Sequence, residues 1–118
     1  MLFKERWVPD VLAGRKRQSI RTRQPRMKVG NTYAVQTSYY SKSLGRIRVT
    51  DIRPCTLATL SEADIEAEGW AAEARDDFER YFAEVNHSDP AAMTARAWAA
   101  FRRRKVWCID FEPADDQG

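Results

Sequence analysis

Apolar residues recur along this chain with two different periods, and the change of period divides it into elements. At residues 46–49 Arg, Ile, Arg and Val alternate, which predicts a strand with one buried face and one wet, basic face. Residues 31–40 before it are equally rich in β-branched and aromatic side chains, and the Ser-Lys-Ser-Leu-Gly run at 41–45 has turn composition, so the two segments predict a hairpin. Residues 106–111, Val-Trp-Cys-Ile-Asp-Phe, are apolar at nearly every position and predict a central strand buried on both sides. Alternation over residues 18–21 sets Ser19 and Arg21 on one face and Ile20, as a core anchor, on the other.

Helical spacing governs the rest. Residues 8–14 predict a short helix with Pro9 in its first turn, Val11 and Leu12 inward, and Gly14 as a left-handed cap. At residues 60–65 Ser61 caps, Asp64 answers three positions later, and Leu60 with Ile65 forms a hydrophobic staple for a helix ending at Gly69. Phe78, Tyr81, Phe82 and Val85 fall at i, i+3, i+4 and i+7, an amphipathic helix whose stripe is expected to pack with Ile109 and Phe111. A third helical segment begins at Asp89-Pro90, with Met93, Ala97, Trp98 and Phe101 on a shared face and the basic run 102–105 at its C-terminal end.

The 118 residues suffice for one core, so a single domain over residues 1–112 with a flexible tail at 113–118 is expected. No apolar stretch approaches the roughly 20 residues that span a bilayer, and the N-terminal run lacks the apolar stretch of a secretory signal, which predicts a cytoplasmic location and no membrane partner. Cys55 and Cys108, far apart and flanked by apolar or strand-like residues, read as buried thiols rather than as a disulfide. With His87 the only histidine, no zinc ligand set assembles, and neither a metal nor a cofactor is implied. The net charge of +3 hides a polarity: residues 1–53 carry 13 Lys and Arg against three acids, and the rest carry seven against 14. Such a division predicts a surface that faces a polyanion, set against an acidic side.

The order of several short blocks then points to a family. Gly14-Arg15-Lys16, Gln18-Ser19-Ile20-Arg21 and Lys28-Val29-Gly30 resemble the GRK, T-x-[ST]-[IL]-R and K-x-G blocks that open ASCH domains of the PUA-like superfamily. The strand at 47–52, the Leu60-Ser61-Glu62 helix start, Glu68-Gly69-Trp70 and the closing strand at 106–111 are similar to that family's later blocks, while residues 87–104 match none of them. The resemblance implies an α+β fold, a small PUA-like β-barrel with flanking helices and a cleft beside the GRK loop. It also implies RNA or a modified nucleoside as partner. Some members hydrolyse N4-acetylcytidine with a Lys, a Thr and a Glu, which fall here on Lys16, Ser19 and Glu68. Ser19 departs from the pattern: the hydroxyl is kept but the methyl that restricts a threonine rotamer is lost.

The residues themselves give these positions physical content. A carboxylate at Glu68 opposes the dipole of its helix, so a cation such as Lys16 or Arg21 is expected across the cleft. Arg15 and Arg17 flank Lys16, and like charges lower an ammonium pKa, one way to prepare lysine for proton transfer. Arg15, Arg17, Arg21, Arg23, Arg26 and Lys28 would form a phosphate track, with Trp70, beside Glu68, stacking on a base; Tyr39 and Tyr40 are further stacking candidates. Phe78, Tyr81, Phe82, Trp107 and Phe111 are assigned to the core instead. Two functions stay open: an RNA- or nucleoside-binding domain, and a metal-independent amidohydrolase acting on N4-acylated cytidine. A ribonuclease is disfavoured by the lone histidine, and a protein-binding role through the acidic helices is a further alternative.

Overall fold

A computed structural model describes residues 1–115. Strands β1 (Gln18–Arg21), β2 (Thr32–Ala34), β3 (Arg46–Cys55) and β4 (Val106–Ala114) form one antiparallel sheet in the order β1-β4-β3-β2. Helices α1 (Val8–Leu12), α2 (Glu62–Ala67), α3 (Arg75–Val85) and α4 (Ala95–Arg102) pack on it. The α+β class and the single domain stand, but the barrel is not closed: the sheet curls into a half-barrel whose edge strands β1 and β2 are not hydrogen-bonded to each other among the described residues. Four and three residues are too few to carry a ladder round to closure. The curl belongs to β3 and β4, which a bulge between Val49 and Asp51 bends locally.

Strand β4 is central, as its nearly unbroken apolar run requires, and it divides the core into two clusters. On one face Val106 and Cys108 meet Ile20, Leu57, Leu60, Ile65, Phe78, Phe82 and Phe101. On the other, Ile109 and Phe111 meet Phe3, Trp7, Val11, Val35, Ile47 and Val49. The stripe of α3 therefore does not pack with Ile109 and Phe111 as the periodicity suggested: Phe78 and Phe82 join the first cluster, and only Tyr81 leans on the second. Residues three apart on one strand point to opposite faces, which the helical period alone could not resolve.

Local sequence explains most boundaries. Gly14 turns with φ +80 after α1, and Ser61 and Asp64 make the reciprocal capping box of α2. The hairpin forms, but β2 is only three residues long, so residues 35–44 are a loop in which Tyr39 and Tyr40 stand in solvent. Helix α4 starts at Ala95, capped by the Thr94 side chain, and the Asp89-Pro90 signal makes a single 3-10 turn instead. Ala97 consequently faces outward, while Met93, Trp98 and Phe101 reach the core. Buried Glu79 of α3 pairs with Arg102 of α4, a clamp between helices that the amphipathic pattern hides. Pro113 and Ala114 belong to β4 rather than to a tail, and residues 116–118 lie outside the described residues.

Cys55 and Cys108 form a disulfide and are not the separate buried thiols the sequence suggests. Their sulfurs are bonded, with the Cα atoms 6.4 Å apart. The register pairs Arg53 with Cys108 and Cys55 with Val106, so the two cysteines are diagonal neighbours on one face of adjacent strands. Sequence separation concealed a proximity that only strand pairing creates. Reduction should lower stability by about 2–4 kcal/mol, read as a fall in Tm with dithiothreitol. Thiol titration of the unfolded, unreduced protein should find none, and two after reduction.

Candidate functional site

Four backbone hydrogen bonds explain why residues far apart in sequence meet. The N–H groups of Arg15 and Lys16 donate to the Asp10 carbonyl, fixing the loop after α1. Arg17 N–H donates to the carbonyl of Ala67, the last residue of α2, at 2.7 Å, and the Arg17 carbonyl accepts from Phe111 N–H. The basic loop is thereby pinned between the end of α2 and the central strand. Lys16 then has one direction to go, and its Nζ donates to Glu68 Oε2 at 2.7 Å and to the Glu68 carbonyl at 2.8 Å.

This ion pair is buried, with Lys16 5% and Glu68 3% exposed. It answers the unfavourable placement of a carboxylate at a helix C-terminus, since the ammonium caps an end carbonyl of α2 as well as neutralising Glu68. Burial nonetheless pushes the Glu68 carboxyl above its ordinary value, and Lys16 opposes that only in part. Oε1 of Glu68 is buried with no hydrogen-bond partner. Gly69, at φ +96, ends the helix where an added Cβ would stand 3.0 Å from the Trp7 ring and 3.5 Å from Lys16 Cβ, so backbone and indole approach closely only because the residue is glycine.

Lys16, Ser19, Arg21 and Glu68 line one cavity of about 690 Å³, which is open on one side. Ser19 projects from β1, and its hydroxyl makes no hydrogen bond to protein among the described residues. Arg21 Nη2 donates to the Leu2 carbonyl at 2.7 Å, its guanidinium lies 5.8 Å from the centroid of Phe3, and Nε is left buried and unpaired. Burial pulls the Arg21 guanidinium below its ordinary value.

The rest of the predicted site divides. Arg23 lines the cavity, but Arg26 and Lys28 do not and lie exposed beyond it, so no continuous cationic track borders the opening. Arg15 turns to Asp10, with Nε 2.7 Å from the carboxylate, and Arg17 points into solvent; Lys16 faces Glu68 rather than these neighbours. Trp70 is not in the wall. It packs behind it against Trp7, Phe78 and Tyr81, with ring centroids 5.9, 6.2 and 5.6 Å away. Trp7 and Tyr81 line the cavity in its place, joined by a 2.9 Å hydrogen bond from the indole N–H to the phenol oxygen, and Lys16 Nζ lies 5.0 Å from the centroid of Trp7. Phe78 and Phe82, assigned to the core, also reach the lining. The helical stripe marked them as apolar, and apolar residues wall a cavity as readily as they fill one. Trp7 carries no local signal in the sequence.

A second polar group lies at the N-terminal end of α2. Arg53 of β3 holds Asp64 at 2.8 Å and Asp110 at 3.6 Å. Burial raises Asp64, but its hydrogen bonds from Ser61 and Arg53 outweigh that and hold it below the usual carboxylate range. No group of three or more His, Cys, Asp or Glu among the described residues is placed to hold a metal ion, and no described helix is long and apolar enough to cross a membrane.

No family model matches the chain, and neither does any curated protein. Solved structures do. A protein of the DUF984 family from Enterococcus faecalis aligns over 93% of this chain and 68% of its own, at 22% identity and a TM-score of 0.66. An ASCH domain from Lactobacillus crispatus aligns over 89% and 68%, at 18% identity and a TM-score of 0.60. A mutant of the ASCH protein from Zymomonas mobilis aligns over 99% and 74%, at 10% identity and a TM-score of 0.56. The fold is that of ASCH domains, as the sequence blocks imply.

Proposed function

We propose that this chain binds a modified nucleoside, the base entering the cavity with a polar N–H directed at Glu68. The observation that carries this is the unpartnered Oε1 of Glu68, a buried residue that lines an open cavity. A buried carboxylate oxygen without a hydrogen bond is costly, and a ligand amide or amine would relieve the cost. The rings of Trp7 and Tyr81 offer aromatic surface for a base, and Arg21 and Arg23 offer charge for a ribose or phosphate. The likeness to ASCH domain structures agrees with a role of this kind.

Calorimetry with N4-acetylcytidine tests it. Wild type should bind, and Glu68→Gln, which keeps the shape but removes the charge, should bind about tenfold more weakly. No heat of binding from any cytidine derivative would reject the proposal.

One observation favours a second reading, hydrolysis of the acyl amide: the free hydroxyl of Ser19 opens onto the same cavity as Lys16 and Glu68. Ser19 would attack the acyl carbon, Lys16 and Glu68 would move the proton, and Arg21 or a backbone N–H would steady the oxyanion.

A further inference from the structure

The loop between β2 and β3 holds two aromatic rings in water. Tyr39 is 82% exposed and Tyr40 101%. The turn that presents them is built. Ser41 Oγ accepts from the N–H groups of Thr37 and Ser38 at 3.3 and 3.1 Å and donates to the Ser38 carbonyl at 2.9 Å. Gln36 Nε2 donates to the Ser41 carbonyl at 2.7 Å, and Leu44 N–H closes the loop onto the Val35 carbonyl at 2.8 Å. Five hydrogen bonds thus fix a backbone whose effect is to keep two large rings away from the core.

That turn stands at the rim of the cavity. Gln36 bridges to Leu2, and both Leu2 and Thr37 line the opening. Arg21, tied to the Leu2 carbonyl, lines it too. Lys4 and Arg23, both exposed, add cations to the same lining. Exposed aromatic rings beside clustered cations suit a chain of bases joined by phosphates, because every base offers a π face and every linkage a negative charge.

We propose that Tyr39 and Tyr40 are a stacking platform for the nucleotides that flank the one held in the cavity, so that the ligand is a single-stranded RNA and not a free nucleoside. The inference rests on the cavity binding a nucleoside and goes beyond it, since a free nucleoside needs nothing outside the opening. Two ligands separate the claims: N4-acetylcytidine alone, and a five-nucleotide RNA carrying it at the centre. Both substituted side chains are exposed, so the double variant Tyr39→Ala, Tyr40→Ala should keep the fold. It should bind the RNA at least roughly tenfold more weakly than wild type and the nucleoside equally well. Equal RNA affinity in variant and wild type, with nucleoside binding intact, overturns the platform and spares the cavity. Failure of wild type to bind either ligand overturns both. Self-association of wild type that the double variant loses, with RNA affinity unmoved, would make the rings a contact between copies and overturn the platform.

Discussion

Replacing Lys16 with Met should destabilise the protein by about 3–5 kcal/mol at neutral pH, although Met matches the stem in length and apolar character. The loss comes from Glu68, not from Lys16. Its carboxylate is 3% exposed, already leaves Oε1 unpaired, and would lose the cation that hydrogen-bonds to it. The pH dependence identifies the cause. Burial already holds the Glu68 carboxyl above its ordinary value of 4.5, and removal of Lys16 takes away the largest influence opposing that rise. A carboxyl with a raised folded-state pKa favours the folded state in its protonated form. Its stabilising contribution is therefore complete below the unfolded value and is lost as pH rises through the folded one. Lys16→Met should thus approach wild-type stability in acid and fall away from it as pH rises above 4.5, in urea unfolding followed at several pH values. The double variant Lys16→Met, Glu68→Gln should recover much of the loss at neutral pH, because it no longer buries a charge. A pH-independent deficit that Glu68→Gln does not repair would place the cost in packing against Trp7 instead.

What could be read from the sequence, and what could not, divides along one physical line. Features set within a few residues were legible: the capping box at Ser61 and Asp64, the left-handed glycines 14 and 69, and the buried alternation of Ile47 and Val49. The meeting of Lys16 with Glu68 was legible in a different way, through ordered blocks that resemble a family together with the helix-dipole argument for a cation opposite Glu68. Pairing between distant segments was not legible. The disulfide depends on the register of β3 against β4, and the clamp of Glu79 on Arg102 depends on how α4 lies across α3. The aromatic wall fails for a related reason. Trp7 and Trp70 are both large rings near an arginine or an acid in sequence, and only the close approach of Gly69 to Trp7 sets one at the cavity and the other behind it. The phosphate track divides because composition counts charges without directions: Arg21 and Arg23 line the opening, Arg15 turns to Asp10, and Arg26 and Lys28 stand clear of it.

If the amide reading holds, Ser19→Ala should reduce hydrolysis of N4-acetylcytidine by at least roughly a thousandfold while leaving its binding unchanged, because a nucleophile contributes to the transition state and not to ground-state affinity. Oγ of Ser19 bonds to the acyl carbon and its proton passes to the Lys16–Glu68 pair; the C–N4 bond breaks as that proton returns to the amine, releasing cytidine. Water then cleaves the acyl-serine to acetate and restores the hydroxyl. Ser19→Thr should retain activity, since it keeps the hydroxyl on a strand residue that faces the cavity. Glu68 must be ionised to accept the proton, and its pKa is raised by burial. The rate should therefore climb with pH through that elevated value, so that the acid limb of the profile lies above the range of an ordinary glutamate. Single-turnover kinetics across pH, with acetate and cytidine counted by mass, reads every part of this. A Ser19→Ala variant that hydrolyses at the wild-type rate on the same acid limb would leave Glu68 as the base and pass the attack to a water molecule it activates. A variant in which binding and rate fall together would mean that Ser19 holds the ligand and performs no covalent step.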